Sequence, residues 1–251
     1  MSDDVAGLRA MYLDAMERIL CNSIYGDASI LPAAPGPYDP GVRREGRDWP
    51  AFAHTMIGTL RLHHLRACAE QVLSDGVPGD FIEAGVWRGG ASIMMRAVLA
   101  AYGVNDRLVW LADSFRGLPP PNAERYPADA GVHLEHFSEL AVPVEVVKAN
   151  FSAHGLLDDR VRFVEGLFSE TLASVPAREF ALIRLDGDLY ESTIDALNAL
   201  YPRLAPGGFA VIDDYGALAA CRAAVHDYRE RHGISEPIET IDWTGAYWRK
   251  A

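Results

Sequence analysis

Residues 80–92 read Asp80-Phe81-Ile82-Glu83-Ala84-Gly85-Val86-Trp87-Arg88-Gly89-Gly90-Ala91-Ser92. Phe81–Ala84 is a short apolar run bounded by turn formers, the pattern of a buried strand. The glycines that follow open a tight turn, and Ala91–Ala101 has the length and residue types of a helix. A strand, a Gly-rich turn and a helix in that order make the first half of a β/α unit. In a parallel sheet the carboxyl end of such a strand faces a ligand crevice.

Working outward, the alternation continues. Strands are predicted at Leu108–Ala112, Val161–Val164, Phe180–Leu185 and Gly208–Ile212. Helices are predicted at Val144–His154, Ser169–Ala173, Ser192–Leu204 and Leu218–Arg231. Ile238–Ile241 and Ala246–Trp248, joined by a Gly-containing link, read as a closing hairpin. The expected fold is α/β, a doubly wound, mostly parallel, seven-stranded sheet. Upstream, Leu8–Ile24 and Thr55–Leu73 read as helices, separated by a stretch that Pro32, Pro35, Gly36, Pro37, Pro40 and Gly41 keep irregular as far as Trp49. Residues 1–75 are thus expected to form a helical cap with a lid segment, and residues 76–251 the catalytic domain. Ser114–Pro143, which carries Pro119, Pro120, Pro121 and Pro127, is a second candidate lid.

The 251-residue chain carries a net charge of −12. That balance argues against nucleic acid as a partner, since phosphate recognition needs clustered Lys and Arg. The one dense basic run, Arg43-Arg44-Glu45-Gly46-Arg47, is interrupted by Glu and reads as a solvated loop. Cys21, Cys68 and Cys221 are few and far apart, as in a reducing cytosol, and no Cys/His spacing suggests zinc. Met1-Ser2-Asp3-Asp4 is acidic where a signal peptide would be basic. No apolar run is long enough for a membrane span. A cytoplasmic enzyme without membrane contact is expected.

Chemistry concentrates at strand ends. Glu83 and Gly85 end the first strand without a GxGxxG or Walker pattern, which disfavours a dinucleotide pyrophosphate. Asp113 and Ser114 end the second strand, roughly 25–30 residues past the first-strand glycines, where an acid can bind ribose hydroxyls. Asp186 and Asp188 end the fourth strand, and Asp213 and Asp214 the fifth. Four carboxylates in one crevice demand raised pKa values or a cation, and a hard divalent ion such as Mg²⁺ suits oxygen ligands. The competing reading, in which each Asp caps the next helix, fits one acid per strand better than two.

In combination these motifs resemble the macrocin (TylF-type) O-methyltransferase family. The resemblance rests on Gly85-Val86-Trp87-Arg88-Gly89-Gly90, Asp113-Ser114-Phe115-Arg116-Gly117-Leu118-Pro119, Asp186-Gly187-Asp188-Leu189-Tyr190-Glu191-Ser192-Thr193, Tyr201 to Gly208, and Asp213-Asp214-Tyr215. It implies a Rossmann-like class I fold that uses S-adenosylmethionine (SAM) and Mg²⁺ to methylate sugar hydroxyls of antibiotics and related metabolites. By resemblance, Asp186, Asp213 and Asp214 hold the metal and Asp188 is the general base. The same resemblance places Thr55 and Met56, within His54–Gly58, over the methionine end of SAM. It places Gly166 and Phe168, within Glu165–Phe168, along the adenine. Glu83, Gly85, Ser92, Asp113, Ser114 and Asp186 complete the expected cofactor contacts.

An alkyl hydroxyl is a very weak acid, so it needs both a Lewis acid and a proton acceptor. Catechol methyltransferases carry a Lys three residues after the first metal Asp, whereas this chain has Leu189 there. That favours a sugar-like or aliphatic hydroxyl over a catechol, with a phenolic or polyketide hydroxyl as the alternative acceptor. An NAD-linked oxidoreductase would require the missing glycine fingerprint. A non-catalytic module would be expected to lack one of the four carboxylates. His133 and His136 sit where substrate contact is conceivable. Trp243, Tyr247 and Trp248 read as hairpin packing more readily than as a sugar platform. The apolar N-terminal helix suggests self-association into a homo-oligomer.

Overall fold

The computed structural model describes residues 2–251. Its helices are α1 (Ser2–Leu20), α2 (Pro40–Arg44), α3 (Gly58–Ser74), α4 (Gly90–Ala101), α5 (Val144–Ala153), α6 (Phe168–Thr171), α7 (Tyr190–Leu200) and α8 (Ala219–His232). Its strands are β1 (Asp80–Ala84), β2 (Val109–Asp113), β3 (Val161–Glu165), β4 (Phe180–Leu185), β5 (Leu204–Ile212), β6 (Glu239–Thr240) and β7 (Ala246–Arg249). The sheet order is β3-β2-β1-β4-β5-β7-β6. β1 to β5 run parallel, and β7 returns antiparallel beside β5. Chain order therefore reverses between β1 and β4, the switch point beside which α/β proteins bind ligands.

Each central strand is buried on both sides because, apart from Glu83 in β1 and Arg184 in β4, it is apolar between its ends. All six residues of β4 are buried, for example. Two apolar clusters cover the two faces of the sheet. One joins α3 and α4 to β1 and also takes in Leu13, Met16 and Leu20 of α1. The other joins α7 and α8 to β4 and β5. The N-terminal helices thus share a core with the sheet. Among the described residues, no helix is long and apolar enough to cross a membrane.

Several boundaries move for local reasons. The helix expected to run from Ser192 to Leu204 ends at Leu200, and a 3₁₀ turn containing Pro202 follows. Proline sits comfortably early in such a turn but blocks a continuing helix. β5 then starts at Leu204 and carries Pro206-Gly207-Gly208 through an irregular register against β4. The Pro-rich stretch before Trp49 also holds more structure than expected. Asp39 caps α2 through Oδ1, which accepts from Gly41 N at 2.7 Å and Val42 N at 3.0 Å, with Pro40 in the first turn.

Arg43 corrects the reading of its neighbourhood as a solvated loop. It is fully buried, its guanidinium donating to Asp48, to Asp27 Oδ1 at 2.7 Å and to Cys21 O at 2.8 Å. Arg43 therefore ties α2 and Asp48 to the end of α1. Arg44, Glu45 and Arg47 remain at least partly exposed, as the sequence suggested.

Candidate functional site

Three consecutive strand ends leave the sheet through backbone that ordinary residues avoid. Trp87 after β1, Phe115 after β2 and Asp188 after β4 have φ of 47°, 54° and 62°. Left-handed backbone costs a non-glycine residue free energy and tends to collect at functional sites. Gly85 meets a stricter demand, since a Cβ there would run into the carbonyl oxygen of Asp186. The β1 turn and the β4 end are packed backbone to backbone.

These loops wall a cavity of about 410 Å³, in the usual range for a small-molecule site. Thr55, Met56, Glu83, Gly85, Asp113, Ser114, Gly166, Phe168, Asp186, Asp188, Asp213 and Asp214 all line it. Ser92 does not. It stands behind the wall, fully buried, and its hydroxyl donates to Glu83.

At the β1–β2 end the carboxylates are already engaged. Asp113 Oδ2 accepts from Val86 N at 2.7 Å and Oδ1 from Phe115 N at 2.8 Å, locking both turns together. Burial nevertheless raises its pKa. Glu83 receives Arg184 Nη1 at 2.6 Å, and burial pushes its carboxyl up to about 7.

At the β4–β5 end the carboxylate oxygens of Asp186, Asp188 and Asp214 come within 4.8 Å of one another. Asp188 does not continue the strand. Leu189 N donates to Gly187 O at 2.6 Å across it, a γ-type turn, and Asp188 N donates to Asp214 Oδ2 at 3.1 Å. Burial, followed by the neighbouring charges, raises Asp186 to about 6 and Asp188 to about 8, and Asp214 well above its usual range. This all-oxygen donor set fits a hard divalent cation, which would relieve the repulsion.

Asp213, expected among the metal ligands, directs its carboxylate elsewhere. It takes Arg61 on Oδ2 and Arg184 Nη2 on Oδ1, the latter at 2.5 Å. Arg184 also reaches Asp186 at 2.9 Å. Burial alone would lower the Arg184 pKa, but Asp213, Asp186 and Glu83 together more than offset it and keep the guanidinium charged. The sequence offered one signal for Arg184, a cation in an otherwise apolar strand, and none for Arg61. Arg61 bonds Asp242 Oδ2 at 3.1 Å and Gly46 O at 3.1 Å, linking α3 to the β6–β7 link and the N-terminal loop.

Leu31, Arg47, Trp49 and Trp243 also line the cavity. The Trp243 indole donates to Glu45 O at 2.8 Å, and the Arg47 guanidinium lies over its ring at 4.2 Å. Trp248, by contrast, is core. His133 and His136 do not line the cavity, although Leu134 between them does.

Comparison with known proteins agrees with this geometry. Residues 9–250 match the family described as macrocin-O-methyltransferase (TylF). The 8-demethyl-8-(2,3-dimethoxy-alpha-L-rhamnosyl)-tetracenomycin-C 4'-O-methyltransferase of Streptomyces olivaceus is 57% identical, covering 96% of this chain and 93% of its own. The mycinamicin III 3''-O-methyltransferase of Micromonospora griseorubida is 49% identical, covering 96% of each. The solved structure of the O-methyltransferase NovP superposes with a TM-score of 0.93 at 45% identity, covering 97% of this chain and 99% of that one.

Proposed function

The chain belongs to the macrocin O-methyltransferase (TylF) family and is an O-methyltransferase, and from that premise we propose that it methylates a sugar hydroxyl of a glycosylated natural product, using SAM and a divalent cation, in antibiotic biosynthesis. The observation that carries the reading is one cavity with two chemically distinct ends. A turn-lined end built on Gly85, Asp113 and Phe168 meets a carboxylate cluster built on Asp186, Asp188 and Asp214.

Thr55 and Met56 would close on the methionine part of SAM, with Glu83 facing its cationic end. Ser92 acts through Glu83 by fixing its rotamer. Asp113 and Ser114 would meet the ribose, and Gly166 and Phe168 the adenine. Asp186 and Asp214 are the proposed metal ligands. Asp213 would join them only by exchanging one of its arginines for the ion.

Bound SAM supplies the electrophilic methyl group, and Mg²⁺ supplies Lewis acidity that makes an acceptor hydroxyl easier to deprotonate. Asp188, presented at the carboxylate cluster by its γ-type turn, would accept the proton. Walling the acceptor between the loops aligns oxygen with methyl and excludes water, which is where positioning contributes rate.

The relatives named for their acceptors act at different sugar oxygens, 4' in one and 3'' in another, so the position on this chain's acceptor is an experimental question. Candidate glycosides incubated with SAM, with and without EDTA, and analysed by mass spectrometry should gain one methyl group only where metal is available. Methylation of phenolic aglycones in preference to sugars would overturn the acceptor assignment. Turnover that persists after exhaustive chelation would overturn the metal.

We further read the enzyme as cytoplasmic and self-associating. Cys21, Cys68 and Cys221 are free thiols, as a reducing compartment requires. The exposed apolar side chains Val5, Leu8, Met11, Tyr12 and Ile19 of α1 offer a contact surface.

A further inference from the structure

A second donor cluster lies apart from the carboxylates described above. His133, Glu135 and His136 each offer one ligand atom, and these atoms fall within 4.8 Å of one another. Both imidazoles converge on one carboxylate oxygen. His133 Nδ1 is 3.1 Å and His136 Nε2 is 3.4 Å from Glu135 Oε1. Tetrahedral zinc with bonds of 2.0–2.2 Å puts neighbouring donor atoms about 3.3–3.6 Å apart. The two edges to Glu135 are therefore close to those of a coordination shell, the two imidazole donor atoms lie within 4.8 Å of each other, and the rings are stacked at an interplanar angle of 20°.

The other carboxylate oxygen is an independent observation. Glu135 Oε2 is buried and has no hydrogen-bond partner among the described residues. A buried carboxylate oxygen left without a partner is costly and calls for a missing water or ion. If Glu135 served only as an ion-pair partner for the two histidines, each oxygen could take one of them. Here one takes both.

We propose that His133, Glu135 and His136 bind a zinc-class divalent ion, with the fourth position open to solvent. Two imidazoles and one carboxylate select borderline metals over Mg²⁺, which prefers oxygen alone. The site is thus distinct in chemistry from the Asp186–Asp188–Asp214 cluster. Its occupancy has a structural consequence. Three of four consecutive residues become one chelate, and the fourth, Leu134, lines the cavity. Next in the chain, Phe137 packs edge-on against Trp49 with ring centroids 5.2 Å apart. The ion fastens this part of the cavity wall.

The sequence disfavoured zinc because it lacks Cys/His spacing, but a carboxylate between two histidines supplies the third ligand. The test is titration of the untagged protein with Co²⁺ and Zn²⁺ in saturating Mg²⁺, which on the proposed function occupies the carboxylate cluster. The expected result is one further equivalent bound, with the visible absorption of tetrahedral Co²⁺ and increased hydrogen-exchange protection over residues 133–137. His133→Ala, His136→Ala and Glu135→Gln should each weaken that binding by at least about 10-fold, since loss of an outer-shell partner alone costs about 10–100-fold. Both histidines are mostly exposed, so their variants should fold. Asp188→Asn should leave the Zn²⁺ titration unchanged. No uptake beyond the Mg²⁺-filled protein overturns the proposal. So does uptake that His133→Ala and His136→Ala weaken less than tenfold.

Discussion

Asp188 combines a strained backbone with a shared charge. Its φ of 62° is one that Asp tolerates better than most residues, and its own N–H donates to Asp214 while its carboxylate joins that of Asp186. The sequence reading placed both acids at the end of the fourth strand. The structure brings them together through a turn. Asp188→Asn should lower kcat by about 10²–10⁴-fold, with SAM affinity by calorimetry little changed. Activity restored by excess Mg²⁺ would instead make Asp188 a ligand. The raised pKa values give a second prediction. Without metal, Asp186 and Asp188 move from 3.8 to about 6 and about 8. The folded chain then keeps protons that the unfolded chain releases, so their effect on stability becomes increasingly unfavourable from about pH 4 to pH 8. In EDTA, Tm should therefore fall more steeply with rising pH for the wild type than for Asp188→Asn, and added Mg²⁺ should stabilise most at the alkaline end. Parallel curves would show that the cluster does not carry this repulsion. The four Asp residues could be counted from sequence. Which three converge could not, because Arg61 and Arg184 decide where Asp213 points, and both partners come from far along the chain.

At the scale of elements, the β/α alternation was legible because each central strand is apolar but for a single charged residue at most between its ends and each turn is marked by Gly, Pro or Asp. β1 and β4 begin and end within a residue of where the sequence places them. The start of β5 was not legible, because Pro206-Gly207-Gly208 reads as a breaker until β4 supplies a partner with a shifted register. The knot around Arg43 was missed for a related reason. A basic run looks solvated until Asp27 and Asp48 are seen to face it from separate parts of the loop. Arg43→Ala leaves both acids buried without their cation. That loss should cost about 3–5 kcal/mol in urea unfolding. Arg44→Ala, on the same short helix but exposed, should stay within about 0.5 kcal/mol. A small effect at Arg43 would mean that the loop is held by other contacts. Because Trp49 lies next to Asp48 and lines the cavity, loss of the knot should also raise KM for the acceptor more than for SAM.

For the whole molecule, α1 has two apolar sides with different partners. Leu13, Met16 and Leu20 face inward to the core shared with α4. Val5, Leu8, Tyr12, Ala15 and Ile19 are exposed and recur at steps of three and four residues. That spacing is the seam of a helix pair, and a second copy of α1 can complete it in a two-fold arrangement. Two chains that each carry a net charge of −12 repel one another at long range. The repulsion is screened beyond about 8 Å at physiological salt, whereas apolar burial persists. Association through α1 should therefore tighten as salt is raised, the reverse of an interface built on ion pairs. Light scattering after size-exclusion chromatography should give a dimer or larger species for the wild type. Leu8→Glu and Ile19→Glu should each shift it toward monomer with circular dichroism unchanged, because neither side chain contributes to the core. A wild-type monomer at working concentration, or a dimer that both substitutions leave intact, would place the contact elsewhere. Exposed Ile24, Tyr25 and Phe52 would then be the next surface to substitute.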